Sequence, residues 1–386
     1  MIDDQPVDPV ILVHEVMYAA ARARNVSPYR DELVRLVETH GLLGSYNLLT
    51  RLNILPSDEA MRGRLEKVID EKLVAIDGQL ADETKSEFDK GLLKLEKAQI
   101  YAAACMPEQA LEVVADLTKG IVSDDMLFSL RFSLLRCFFA LNDWDSYRAQ
   151  LELCGRDLES ANYENRANFK LYEAVAHIVD CTGLDDHLTL EKLATNLKDI
   201  VPVYSAEAFI PYPAFVVLAY ILNLVALPRK DFLHFLTSST DALSVVSDIP
   251  PLMTAIGCVR DCNYSSMNTA LLALDEYCRT RYLLNKIRAT VCRSFRRIVI
   301  RQFLTSYMNA NISSMATTFQ ISERAMLSEL EAMILHGALD YKIDLCAGVL
   351  SDSPVDGYSA ACADFIQAAT KYLKTLESAR KSLLTT

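Results

Sequence analysis

Ten cysteines, six histidines and several paired carboxylates are the residues of this 386-residue chain most suited to chemistry. A zinc site needs Cys and His ligands converging at tetrahedral spacing, usually with short C-x-x-C steps. No such step occurs, and the closest cysteines, Cys258 and Cys262, have no further Cys or His near them in sequence. The ten therefore read as small buried apolar residues of a reducing compartment. His14, His40, His177, His187, His234 and His336 are far apart, and H-E-x-x-H, G-x-S-x-G and phosphate-cradling glycine loops are all missing. The pairs Asp124–Asp125 and Asp185–Asp186 fall where helices should begin, so complementing the helix dipole accounts for them without acid–base work. No catalytic residue, cofactor or metal is expected.

Charge is the other resource. Arg293, Arg297 and Arg301 recur at i, i+4 and i+8 on one helix face, with Lys286, Arg288 and Arg296 close by. Such a row is either a solvated face or a dock for an acidic protein partner. The net charge of −12 argues against nucleic acid or anionic lipid as the main ligand.

The elements that carry these residues are helices. Glycine and proline number only 12 each, and just over half the residues are apolar. Ser57 is a candidate N-cap, and Thr84 with Glu87 forms a capping-box pattern. The segment Tyr101–Leu111 has the form of a helix, a tight turn and a second helix. Phe138–Tyr147 repeats that form about 37 residues later, and a weaker copy runs from Tyr172 past Gly183 to Leu190. That period belongs to tetratricopeptide-type (TPR-like) hairpins, which stack into a right-handed solenoid. Phe209 to Leu227 is uncharged and long enough to raise the question of a membrane span. Pro211, Pro213 and Asn223 favour a core helix instead. Met1-Ile2-Asp3-Asp4 lacks the start of a signal peptide, so cytoplasm and nucleus are the expected locations.

The chain changes character near its end. A helix over Leu283–Tyr307, a short one over Asn311–Phe319 with Ser313 as cap, and a third opened by Ser322 and stopped at Gly337 are followed by a hairpin of residues 339–345 and 348–350. Three helices and a hairpin make a winged helix. Its third helix, the usual DNA reader, carries Glu323, Glu329 and Glu331 against one Arg324, which disfavours nucleic acid. A last helix over about residues 360–384 aligns Phe365, Tyr372, Leu373 and Leu376 on one face. That stripe either folds back on the winged helix or packs against helices of other subunits. The expected fold is all-α. Its parts are a helical extension over residues 1–82, the solenoid over 83–277, the winged helix with its small β-hairpin over 278–356, and the C-terminal helix over 357–386.

This plan resembles the PCI-domain scaffold proteins of the proteasome lid, the signalosome and a translation initiation factor. The segments Ser27-Pro28-Tyr29, Asn165-Arg166, Tyr212 with Phe215-Val216, Ala226-Leu227, Arg229, Asp231, Pro250, Cys262, Tyr264, Ser314-Met315-Ala316, Phe319 and Lys342-Ile343-Asp344 are similar to the non-ATPase regulatory subunit 6 family of the 26S proteasome. The loop Ser351–Tyr358 departs from the family pattern. The resemblance implies a non-catalytic lid scaffold in a hetero-oligomer, with other PCI-domain lid subunits and the lid deubiquitinase as partners and no membrane contact. It also implies strand addition at the hairpin edge, through Tyr341, Lys342, Ile343, Asp344, Val349 and Leu350, and bundling of the last helix. A signalosome subunit and a nucleic-acid-binding PCI protein of translation are the alternatives. The acidic balance separates the second of these from the scaffold.

Overall fold

The computed structural model describes residues 7–23, 27–81, 86–115, 124–159, 161–180, 187–206, 208–352 and 357–384. Among them the protein is all-α apart from three short strands. The N-terminal helices are α1 (Pro9–Arg22), α2 (Ser27–His40), α3 (Leu43–Arg51) and α4 (Glu59–Leu80). Three helical hairpins follow: α5 (Glu87–Ala103) with α6 (Pro107–Ala115), α7 (Asp124–Leu141) with α8 (Trp144–Arg156), and α9 (Tyr163–Asp180) with α10 (His187–Ile200). Then come α11 (Tyr212–Ala226), α12 (Arg229–Leu236), α13 (Thr240–Ser247), α14 (Pro250–Arg260), α15 (Met267–Thr280) and α16 (Tyr282–Leu304). The last stretch holds β1 (Asn309–Asn311), α17 (Ile312–Phe319), α18 (Glu323–Leu335), β2 (Tyr341–Asp344), β3 (Val349–Asp352) and α19 (Gly357–Leu384).

The chain divides into two compact units, Met1–Ile256 with Ala270–Phe295, and Gly257–Thr269 with Arg296–Thr386. The expected break after residue 82 is not a boundary between units. The N-terminal helices pack into the first unit because Asp8, the N-cap of α1, also pairs with Arg136 of α7 at 2.6 Å. Arg136 donates as well to the Tyr172 hydroxyl at 3.1 Å, and the Asp8 N–H donates to the Ala208 carbonyl at 2.9 Å. Long-range pairing of this kind carries no periodic sequence signal.

The repeat is visible in the turns. Cys105 between α5 and α6 and Asn142 between α7 and α8 both take the left-handed conformation, at φ 59° and 57°. Each hairpin buries its apolar face on its neighbour. Phe132 stacks on Tyr172 at 4.9 Å between ring centres, and Tyr172 on Phe209 at 4.5 Å, while the Tyr147 hydroxyl donates to the Tyr172 carbonyl at 2.9 Å. Gly44 is required where α3 meets the first hairpin turn. Its N–H donates to the Ala104 carbonyl, and a Cβ there would lie 1.8 Å from the Cys105 carbonyl oxygen. The uncharged stretch is a core helix: every residue of α11 from Phe215 to Ala226 is buried. Among the described residues no single helix is long and apolar enough to cross a membrane.

Helix starts differ from the sequence reading by a residue or two, as cap assignments do. The cap of α4 is Asp58, not Ser57, because its extended backbone lets its carboxylate accept from the Ala60 N–H. Thr84 lies outside the described residues, and the capping box of α5 is made by Ser86 and Asp89. The cap of α17 is Asn311, which accepts from the Ser314 N–H, while Ser313 sits inside the first turn. Ser322 caps α18 as its position implied, and Gly337 follows that helix at φ 67°.

The second unit holds the winged-helix elements. Val299, Ile300 and Leu304 of α16, Met315 and Phe319 of α17, Met326, Leu330 and Met333 of α18, and Leu350 of β3 form its core. Phe303 meets Phe319 edge-on at 5.3 Å, and Tyr264 meets Phe303 at the same distance. The sheet has three strands in the order β1-β3-β2, all antiparallel, where two were expected. Asn-Ala-Asn has low strand propensity, so β1 exists because β3 supplies its partner groups.

Candidate functional site

The residues picked out for chemistry do not converge. Among the described residues no three His, Cys, Asp or Glu side chains group as a metal set. Burial pushes the Cys154 thiol up to about 11 and Cys278 up to about 12, so both are protonated and poorly nucleophilic. His14 is buried between Phe139 and Tyr282, at 4.9 and 4.5 Å between ring centres. Burial lowers its pKa to about 4 against an opposing hydrogen bond with Asn142, so the ring is neutral. Asp125 accepts from Asn162 and Asn165, at 2.9 and 3.0 Å, tying the start of α7 to that of α9. The pair Asp185–Asp186 lies outside the described residues.

Surfaces offer more. The register of the sheet fixes which strand is free. Asp352 N–H donates to the Met308 carbonyl and Ile312 N–H to the Gly348 carbonyl, so residues 348, 350 and 352 turn their backbone groups to β1. Val349 and Ser351 then bond to β2 through Asp344 and Lys342. Tyr341 and Ile343 are left with N–H and C=O pointing away from the sheet, on an edge that no described strand covers. The free edge therefore comprises Tyr341, Lys342, Ile343 and Asp344. Val349 and Leu350 must be withdrawn from it: they lie on the central strand, and Leu350 is fully buried. The Tyr341 hydroxyl donates to the carbonyls of Leu304 and Tyr307, at 3.1 and 3.2 Å, which anchors β2 to the end of α16.

The second surface is α19. Phe365, Tyr372, Leu373 and Leu376 are exposed, between 57% and 74% of each. Ile366, which the sequence reading passed over, is 64% exposed beside them. It falls one residue from Phe365 and one heptad from Leu373, so a wider helical stripe would have included it. The stripe does not fold back on the described part of its own unit.

The arginines of α16 have partners within the chain. Arg296 pairs with Glu329 of the acidic third helix at 3.3 Å, and Arg301 donates to the Ala338 carbonyl at 2.6 Å. Arg293 and Arg297 are half-buried and engaged by neighbours. Burial would raise the Asp275 carboxyl, but its bonds from Arg288 and Arg279 outweigh that and hold it below the ordinary carboxylate value. Spacing alone showed the arginines but not the acids that meet them from other helices.

Residues 58–234, from the cap of α4 into α12, match the family model described as 26S proteasome subunit RPN7. The chain is similar to the 26S proteasome non-ATPase regulatory subunit 6 of Oryza sativa subsp. japonica, at 24% identity over 346 residues, covering 89% of this chain and 86% of that one. The subunit of the same name from Dictyostelium discoideum is 24% identical over 331 residues, 84% of each chain. The 26S proteasome regulatory subunit rpn7 of Schizosaccharomyces pombe is 22% identical over 332 residues, 83% of this chain and 82% of its own.

Proposed function

We propose that this chain, similar along most of its length to 26S proteasome non-ATPase regulatory subunit 6, is a non-catalytic scaffold subunit of the proteasome regulatory-particle lid. In that role it supports ubiquitin-dependent protein degradation by holding other subunits. The observation that carries the reading is α19, a 28-residue helix whose large apolar side chains stand in solvent. An exposed stripe of this kind is costly in an isolated chain and useful in an assembly. The free edge of β2 is the second attachment point, where a neighbour's strand can accept and donate backbone hydrogen bonds at Tyr341 and Ile343. Its partners are other PCI-domain lid subunits and the lid's deubiquitinase subunit, in the cytoplasm and nucleus.

The Arg296–Glu329 pair weighs against a nucleic-acid role, because the winged helix spends its opposite charges on itself. The names of the matched relatives support the lid over the signalosome. The test is purification of the tagged chain from native cells at moderate salt, with the co-purifying proteins identified by mass spectrometry. Proteasome lid subunits in stoichiometric amount are the expected result. Recovery with a signalosome, or of the chain alone, overturns the proposal.

A further inference from the structure

A cleft of about 660 Å³ opens on the first unit, between the start of α9, the end of α10 with residues 201–203, and the turn from α12 to α13. Three cations line it, Arg166, Lys170 and Lys198, against one carboxylate, Asp199. Among the described residues none of the three cations makes an ion pair within 4.0 Å. Arg166 donates one N–H to the Glu159 carbonyl at 2.9 Å and keeps its other donors. Tyr163, Arg166 and Lys170 follow one another at i, i+3 and i+7, so they share one face of α9 and span about 10 Å of its axis. Tyr163 is 71% exposed, and among the described residues no other ring lies against it. The inference that follows does not depend on the lid reading.

We propose that this cleft binds a purine nucleoside triphosphate, with the base on the Tyr163 ring and the phosphates held by Arg166, Lys170 and Lys198. Charge selects a polyanion. Cations outnumber the carboxylate in the lining, in a chain whose overall charge is −12, and guanidinium and ammonium groups are the side chains that hold phosphate oxygens. Order selects the nucleotide. Along α9 an open ring comes first, a guanidinium one turn on and an ammonium one turn further, which is the sequence of base, inner phosphate and outer phosphates. A base stacks on an aromatic ring whatever its hydrogen-bonding edge, and a purine offers the larger face. An RNA strand is the poorer fit. It needs a groove with several rings in succession, and the net charge opposes its approach. Binding alone is inferred, because the chain has no phosphate-cradling glycine loop.

Isothermal titration calorimetry of the purified full chain tests this, with ATP, adenosine, tripolyphosphate and an oligoadenylate as separate ligands. ATP should bind. Adenosine, which lacks the phosphates, should bind at least about tenfold more weakly, and tripolyphosphate, which lacks the base, at least about fivefold more weakly. Tyr163→Ala should lose about fivefold or more for ATP and nothing for tripolyphosphate. Lys170→Glu should lose at least about tenfold for both, with a melting temperature equal to wild type. Lys192→Glu, at an exposed lysine of α10 that does not line the cleft, should bind ATP as wild type does. Absence of ATP binding at millimolar concentration overturns the proposal. So does ATP affinity unchanged in Lys170→Glu, tripolyphosphate bound as tightly as ATP, or the oligoadenylate bound more tightly than ATP.

Discussion

Replacing Phe365 and Leu373 together by alanine separates an intersubunit role for α19 from an internal one. Full burial of a large apolar side chain is worth about 1.5–3 kcal/mol. Phe365 is 74% exposed and Leu373 61%, so a partner that covers both gains roughly 2–4 kcal/mol from the exposed portions. Their loss should weaken association by roughly 30- to 1,000-fold. In the isolated chain the same side chains touch little, and a surface change of this kind shifts stability by no more than about 0.5 kcal/mol. The assay therefore has two arms. Circular dichroism melts of the purified variant should match wild type within about 2 °C. Incorporation into the lid, followed by native electrophoresis with the remaining subunits at submicromolar concentration, should fall sharply. A large drop in melting temperature would show that the stripe packs on its own chain. Unchanged incorporation with an unchanged melt would refute the role of α19 in assembly.

Other expectations follow from particular residues. Ile343→Pro removes a donor that points off the free edge and no bond of the sheet itself, so the chain should stay folded while lid incorporation weakens roughly three- to tenfold, read on the same gels. His14 has a folded pKa of about 4 against 6.5 when unfolded, so the unfolded chain takes up the proton first and stability falls as pH drops below 6.5. The loss should reach roughly 3 kcal/mol at pH 4, and urea titrations across that range should show a flatter profile for His14→Gln. Gly44→Ala drives a Cβ into the Cys105 carbonyl and should cost roughly 2–4 kcal/mol in urea unfolding. Gly63→Ala, where nothing lies within 4 Å, should instead stabilise α4 by about 0.5–1 kcal/mol.

Local patterns told most of the fold. The hairpin turns at Cys105 and Asn142, the core helix over 212–226, the Ser322 cap and the two longer strands all follow from residues within a few positions of one another, and helix and turn energetics act over that range. The stripe on α19 was legible for the same reason, since 3.6-residue periodicity is written in the chain. What the sequence did not contain was the partner of each group. β1 has no strand signal of its own and is drawn into the sheet by β3, which moves Leu350 from the edge to the core. The arginines of α16 looked available until Glu329, Asp275 and the Ala338 carbonyl met them from elsewhere in the chain. The N-terminal helices looked like an extension until Asp8 met Arg136, 128 residues away. Whether a polar group is satisfied or available depends on contacts between distant segments, and only the tertiary structure sets those.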